Sequence, residues 1–257
     1  MKKWIGIVAV ALLAGCAVQP MNGGSGVAGS QVDNESRQRA RAFTDLASAY
    51  LARAQYKTAL DELRKAIIAD NRFGPAYNLY GLIYMELAED KLAEENFRRA
   101  IELDRSDSES RNNYGWFLCT RGRYDEGLEQ FSVALRNPLY TQPEQAMANA
   151  GLCAEKKGDL ALAEANLLKS LKLQPDNANT IIKLAGLHFR QGRLVETQRL
   201  LDRHAELAPP TAESLWLGVR LERRLGDRAQ EAAYGLQLRK RFPDSTEAQR
   251  LLTGQYE

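Results

Sequence analysis

The sequence predicts an all-α protein, a superhelical solenoid of about six helix–turn–helix repeats. The main observation is a spacing of 34 residues: Tyr80-Gly81 shifted by that interval becomes Tyr114-Gly115, and Phe97 becomes Phe131. A second observation is helical periodicity, because Tyr80, Gly81 and Tyr84 fall on one face of a helix. No stretch shows the sustained alternation and β-branched enrichment of strands.

The first three repeats are predicted at about 40–73, 74–107 and 108–141. The first has Leu46-Ala47 at the position of Tyr80-Gly81, and the second is the clearest copy. In the third, Gly122 falls between the two helices, where a left-handed C-cap costs glycine little. Pro143 then forces a longer connection before the fourth repeat.

The last three repeats are predicted at about 144–177, 178–211 and 212–245. Their turns carry Gly158, Gly192 and Gly226. The sixth repeat is irregular, because Leu217-Gly218 and Gly226 are one residue farther apart than the equivalent residues of the fifth repeat. Pro243 nevertheless marks its end, as Pro209 marks the end of the fifth. A short C-terminal helix completes the predicted domain, 35–257.

The pattern of Tyr77, Tyr80-Gly81 and Tyr84, followed by Ala93, Phe97 and Ala100, resembles the tetratricopeptide (TPR) repeat. This resemblance implies that a large residue lies beside a small one where the paired helices cross. It also implies a groove that binds other polypeptides. We therefore expect a binding protein and no enzyme activity.

The N-terminal residues predict export and lipidation. Lys2 and Lys3 precede an apolar run, Trp4 to Leu13, that is too short to span a membrane. Leu13-Ala14-Gly15-Cys16 resembles the bacterial lipobox, which implies a signal peptide at 1–15 and a lipidated Cys16. Ala17 in place of Asp implies sorting to the outer membrane, and 16–34 is predicted as lipidated cysteine and flexible tether. The alternative is an ordinary secretory signal with a coincidental cysteine.

The charge balance favours no nucleic-acid partner. The formal net charge is +2, and loss of Lys2 and Lys3 with the signal leaves 33 basic against 33 acidic residues. The last repeat is nevertheless rich in basic side chains. They form either a solvated face or a contact for an acidic partner or lipid headgroups. They are Arg220, Arg223, Arg224, Arg228, Arg239, Lys240 and Arg241.

The sequence predicts no catalytic residue, no metal site and no cofactor. The two histidines, His188 and His204, have no partners at metal-ligand spacing. Phosphate-binding loops and hydrolase motifs are absent from the sequence. A cell-wall hydrolase is the weakest alternative considered.

Cys119 and Cys153 are predicted to form a disulfide. They lie 34 residues apart, near the ends of equivalent helices in the third and fourth repeats. Stacked neighbouring helices bring such side chains close, and an exported protein meets oxidising conditions. The alternative is a pair of buried free thiols.

Several segments resemble the type IV pilus biogenesis and stability lipoproteins, the PilF/PilW family. They are Asn112 to Cys119, Asn137 to Tyr140, Ala148 to Cys153, Ser214 to Leu221 and Tyr234 to Leu238. The resemblance implies a lipid-anchored protein on the periplasmic face of the outer membrane. Its expected partner is the outer-membrane secretin of the pilus machine, which it helps to localise and multimerise, or else it stabilises assembled pili. The alternative function is that of an adaptor for outer-membrane protein assembly or proteolysis. We expect the protein to be a monomer.

The partner is predicted to bind the concave face, which is formed by the first helix of each repeat. Asparagine can pair with a partner backbone, and Trp116 is the expected aromatic anchor. The alternatives are that Leu82, Trp116 and Leu152 pack between repeats, or that Thr44, Ser48 and Leu51 form the patch. The predicted groove residues are Asn78, Leu82, Met85, Asn112, Trp116, Leu152, Ile182 and Phe189.

Overall fold

The computed structural model describes residues 25–256, with side chains from residue 34 onward. The predicted signal peptide and Cys16 lie outside the described residues. The first helix begins at Ser25, so the flexible tether predicted for 16–34 is wrong from that residue onward. The sequence has no proline between Pro20 and Pro75 to end a helix, and residues 35–41 are mostly good helix formers. The helix therefore continues toward the N-terminus through Gly26 and Gly29 despite their low helix propensity.

Residues 25–256 form helices and connecting turns, with no strand among them. The helices alternate between the first and second helix of each predicted repeat, and the fold class is confirmed. They are α1 (Ser25–Leu51), α2 (Tyr56–Ala69), α3 (Gly74–Glu86), α4 (Asp90–Leu103), α5 (Ser108–Thr120), α6 (Tyr124–Leu135), α7 (Pro143–Lys157), α8 (Leu160–Leu173), α9 (Ala178–Arg190), α10 (Leu194–Leu207), α11 (Ala212–Leu225), α12 (Arg228–Arg241) and α13 (Thr246–Thr253).

The helices form two layers of different spacing. Each odd-numbered helix contacts the next odd-numbered one, from α1 through α13. Within 25–256, the even-numbered helices contact only their neighbours in sequence and not one another. The layer with the closer spacing lies on the inside of the curve, so the odd-numbered helices form the concave face.

Close crossing within a pair depends on a small residue, as the repeat pattern predicts. A Cβ added to Gly81 on α3 would lie 2.6 Å from the Phe97 ring on α4. At Gly218 on α11 it would lie 2.8 Å from the ring of Tyr234 on α12. Phe97 is fully buried by this approach. The Tyr-Gly and Leu-Gly pairs of the sequence therefore set the spacing between paired helices.

The turns between paired helices require a left-handed residue. Gly122, Gly158, Gly192 and Gly226 have φ between +75° and +92°, as the sequence predicts. The first two repeats place alanines there instead, with φ 54° at Ala54 and 58° at Ala88. A non-glycine residue in this region costs about 1–2 kcal/mol.

The core runs continuously through the stack, and α13 closes its C-terminal end. There, Trp216 and Val219 of α11, Leu238 of α12 and Ala248 of α13 form one buried cluster. No helix in the described part of the chain is both long and apolar enough to cross a bilayer.

Candidate functional site

Two of the predicted groove residues, Asn78 and Asn112, are buried and bind other asparagines. Asn113 donates to the amide oxygen of Asn78 at 3.2 Å, and Asn149 donates to that of Asn112 at 3.0 Å. The side chains are 6% and 2% exposed at Asn78 and Asn112. This asparagine ladder (Asn78, Asn112, Asn113, Asn149) joins α3, α5 and α7. Its buried members therefore connect repeats. The prediction that Asn112 faces a partner is wrong, whereas Asn78, although 6% exposed, also borders the open groove between α1, α3 and α5.

The geometry explains the paired asparagines of the third repeat. Asn112 points its oxygen toward α7, while Asn113 points its amide toward α3, and the two also contact each other at 3.4 Å. One helix thus needs two adjacent amides to bond with both neighbours. The sequence pattern shows the Asn112-Asn113 pair but carries no signal that Asn149, one repeat later, completes the ladder.

Ile182 and Phe189 are also buried, at 3% and 2% exposure, so the prediction that they line an open groove is wrong. Both belong to a cluster with Leu217 and Leu221 of the next repeat. The physical reason is the close spacing of α9 and α11, because α11 covers the face that α9 would otherwise present. A helical period on one segment does not show how near the neighbouring helix lies.

The other four predicted groove residues are half-buried. Leu82 and Met85 pack against the cluster around Phe97, and Trp116 packs against the cluster around the cysteines. Leu152 is half-buried on α7. The structure thus brings Leu82, Met85 and Trp116 into contact with the core while leaving part of each side chain accessible.

An open groove of about 480 Å³ lies at the N-terminal end of the concave face. It runs between α1, α3 and the start of α5, where Leu82 provides an apolar wall. Charges of both signs surround it. Its lining includes Arg41, Thr44, Asp45, Ser48, Asn78, Leu82, Asp107 and Glu109.

A disulfide joins Cys119 at the end of α5 to Cys153 on α7, with a Cα–Cα distance of 5.5 Å. Both cysteines are buried with Phe131 and Ala150. Gly127 on α6 leaves the room that the Cys119 sulfur occupies, since a Cβ there would overlap it. The bridge therefore fixes the third repeat against the fourth, next to the asparagine ladder.

Two carboxylates hold further repeats together. Glu94 accepts hydrogen bonds from Arg123 and from Tyr114, both at 2.8 Å, and Glu164 accepts one from Arg193 at 2.7 Å. Burial opposes ionisation of Glu94, but the hydrogen bonds from Arg123, Tyr114 and Arg98 prevail and lower its pKa. The Glu94–Arg123 pair links α4 to the third repeat, and the Glu164–Arg193 pair links α8 to the fifth.

Both histidines are buried. His188 contacts Glu164 through Nε2 at 3.2 Å, and burial lowers the pKa of His204. Within the described residues, no group of His, Cys, Asp and Glu side chains is placed to hold a metal ion. Neither histidine lies in the open groove.

Proteins of bacterial type IV pilus systems are among those to which the chain is similar. Tetratricopeptide-repeat profiles match residues 74–107, 96–129 and 144–177. The type IV pilus assembly protein PilF of Pseudomonas aeruginosa is 31% identical over 217 residues, which cover 84% of this chain and 86% of that protein. The chain belongs to the PilF/PilW family. Its relatives include the type IV pilus biogenesis factor PilW, whose solved structure is 32% identical in sequence. The matched region covers 83% of this chain and 98% of the PilW chain, and the two superpose with a TM-score of 0.75.

A solved structure of P. aeruginosa PilF is similarly close, with 30% identity, coverage of 86% of this chain and 99% of its own, and a TM-score of 0.73. This PilF/PilW-family chain is therefore a type IV pilus biogenesis TPR protein. Proteins of the TPR class typically act as scaffolds or adaptors. The candidate functional surfaces are accordingly docking faces.

Proposed function

We propose that this protein is an outer-membrane lipoprotein that binds the secretin of the type IV pilus machine and promotes its localisation and multimerisation. The observation that carries the proposal is the identity with PilF over most of both chains. The lipobox-like residues ending at Cys16 support the anchor. The protein acts as an adaptor, without catalysis or a cofactor.

The open groove between α1, α3 and α5 is the surface that fits secretin docking best. It lies on the concave face, it is near the N-terminal end where the anchor attaches, and it combines apolar Leu82 with charged rims. Interfaces typically have this composition, with an apolar centre and a polar rim. The secretin segment would lie along α1 and α3.

Ser48→Arg tests this surface. Ser48 is exposed on α1 and lines the groove, so a long charged side chain should block the partner without disturbing the core. We expect secretin binding to weaken by about tenfold or more, which corresponds to about 1.4 kcal/mol. Ser132→Arg on the outer helix α6, also at an exposed serine, is the matched control and should bind normally.

The measurement is secretin capture by the purified protein, together with complementation of a deletion strain. The deletion should lose surface pili and heat- and detergent-resistant secretin multimers while keeping its general outer-membrane composition. A broad loss of outer-membrane proteins would instead support an assembly adaptor. Equal capture by the two serine variants would rule out this groove.

Cys16→Ala tests the anchor. The contact with secretin belongs to the solenoid, so binding in solution should persist. Delivery of secretin to the outer membrane should fall, because the anchor and the docking face act as linked binding events. Secretin multimers are measured in fractionated membranes. Normal outer-membrane multimers with Cys16→Ala would overturn the anchor's role and favour pilus stabilisation.

A further inference from the structure

A cluster of arginines lies on the concave face at the C-terminal end, far along the stack from the N-terminal groove. Arg220 and Arg224 are one turn apart on α11, and both guanidinium carbons lie 4.6 Å from the ring centroid of Phe189 on α9. Arg250, exposed on α13, is near enough for its charge to help lower the pKa of Arg220. Stacking on a buried aromatic ring fixes the direction of the two guanidinium groups.

Counting only the side chains of 34–256, the cluster carries excess positive charge. Lys183 nearby pairs with Glu213. Arg190 contacts Glu155, yet its charge still acts on Arg220 together with those of Arg224 and Arg250. Among the side chains of 34–256, no carboxylate lies within ion-pair distance of Arg220, Arg224 or Arg250. Burial, and then the neighbouring arginines, lower the pKa of Arg220. An anion bound here would relieve this repulsion.

The chain's own C-terminal segment shows that this face accepts extended polypeptide. The Tyr256 ring stacks on Trp216 at a centroid distance of 5.6 Å, and the Arg223 guanidinium carbon lies 3.8 Å from the centroid of the same ring. Arg220 Nε donates to the Tyr256 carbonyl oxygen at 2.8 Å. A groove of about 480 Å³ opens beside Arg223 and Tyr256. The face thus already binds one backbone carbonyl and one aromatic ring.

We propose that Arg220, Arg224 and Arg250 form a second docking site, for an acidic, aromatic-containing segment of a partner protein. The guanidinium groups pair with its carboxylates, and the surface beside Tyr256 takes its aromatic side chain. A bilayer surface fits less well, because these arginines lie in the closely spaced inner layer of the solenoid. Arg239, Lys240 and Arg241 project from the outer helix α12, where lipid headgroups have free access. The site is separate from the proposed secretin groove and does not depend on it.

The test uses the full-length protein in detergent and a labelled peptide of alternating glutamate and tyrosine. A lysine–tyrosine peptide of equal length is the charge control. Arg220→Gln with Arg224→Gln should weaken binding of the acidic peptide by about tenfold or more, since charge-assisted hydrogen bonds are lost. Arg239→Gln with Arg241→Gln removes the same charge from α12 and should leave binding within about twofold.

Arg250→Gln provides a second variant at an exposed side chain, in case the α11 pair disturbs packing on Phe189. It should also weaken the acidic peptide and leave the circular dichroism spectrum unchanged. Failure of the unaltered protein to bind, equal losses for the inner and outer pairs, or equal binding of the lysine peptide would each overturn the site. Displacement of the peptide by glycerol phosphate as effectively as by unlabelled peptide would assign the cluster to headgroups instead.

Discussion

Ala54 and Ala88 occupy the turn position that glycine holds in the third to sixth repeats. Both have positive φ, and their Cβ atoms make this backbone region costly. The sequence shows the missing glycines, but only the dihedral angles show that the chain keeps the same turn without them. The conformational cost of a left-handed alanine therefore destabilises the first two repeats and is absent from the later ones.

Ala88→Gly should stabilise the protein by about 0.5–1 kcal/mol. Glycine removes the cost of a left-handed alanine, but part of this gain is lost because glycine has more conformational entropy in the unfolded chain. Ala165→Gly, at an exposed site within α8, is the control and should destabilise by about 1 kcal/mol. Chemical denaturation measures both. A loss of stability for Ala88→Gly equal to that of the control would show that the turn tolerates alanine without strain.

The helices of the middle repeats are connected by more than apolar packing. The asparagine ladder joins α3, α5 and α7, and the disulfide joins α5 to α7 beside it. Glu94 and Glu164 add charged links from the outer helices to the repeats that follow them. Consecutive repeats in a solenoid touch only their neighbours, so such links decide how cooperatively the stack unfolds.

Cys119→Ser with Cys153→Ser should lower the free energy of unfolding by about 3–4 kcal/mol, because the bridge closes a loop with a sequence separation of 34. Reduction of the unaltered protein should produce a similar loss. The double variant serves as the control, since reductant should not change its stability. If reduction leaves the unaltered protein as stable as before, the two cysteines are not bonded in solution.

At the scale of the molecule, the solenoid is closed at one end by α13. Ala248 is fully buried under Trp216 and Val219, although α13 is the shortest helix of the described chain. This helix covers the apolar face that the sixth repeat would otherwise expose. It also carries Arg250 and leads into Tyr256, which contacts Arg220 and Trp216, so the end cap and the proposed second docking site are adjacent.

Ala248→Glu should open the C-terminal end first, because burying the charge costs more than about 2 kcal/mol. Hydrogen exchange should increase in α11 to α13 while α3 to α8 stay protected, as expected for a stack with nearest-neighbour coupling. Gln249→Glu introduces the same charge at an exposed position of α13 and should change little. Uniform loss of protection along the chain would indicate that the solenoid unfolds as one unit.

The repeat architecture can be predicted from the amino-acid sequence alone. The 34-residue spacing, the Tyr-Gly pairs and the turn glycines are local signals, and each helix pair obeys them through contacts between residues close in the chain. The same signals placed Cys119 and Cys153 on neighbouring equivalent helices, where the structure has its disulfide.

Which side of each first helix remains open depends instead on how closely the repeats stack. Helical position predicts that Asn112, Ile182 and Phe189 face the groove, yet the stacked repeats bury them. The distance between stacked repeats depends on curvature and twist accumulated over many residues, which no single helix encodes. For the same reason the arginines of α11, which are ambiguous in sequence, become a defined cluster only when Phe189 and α13 are packed beside them.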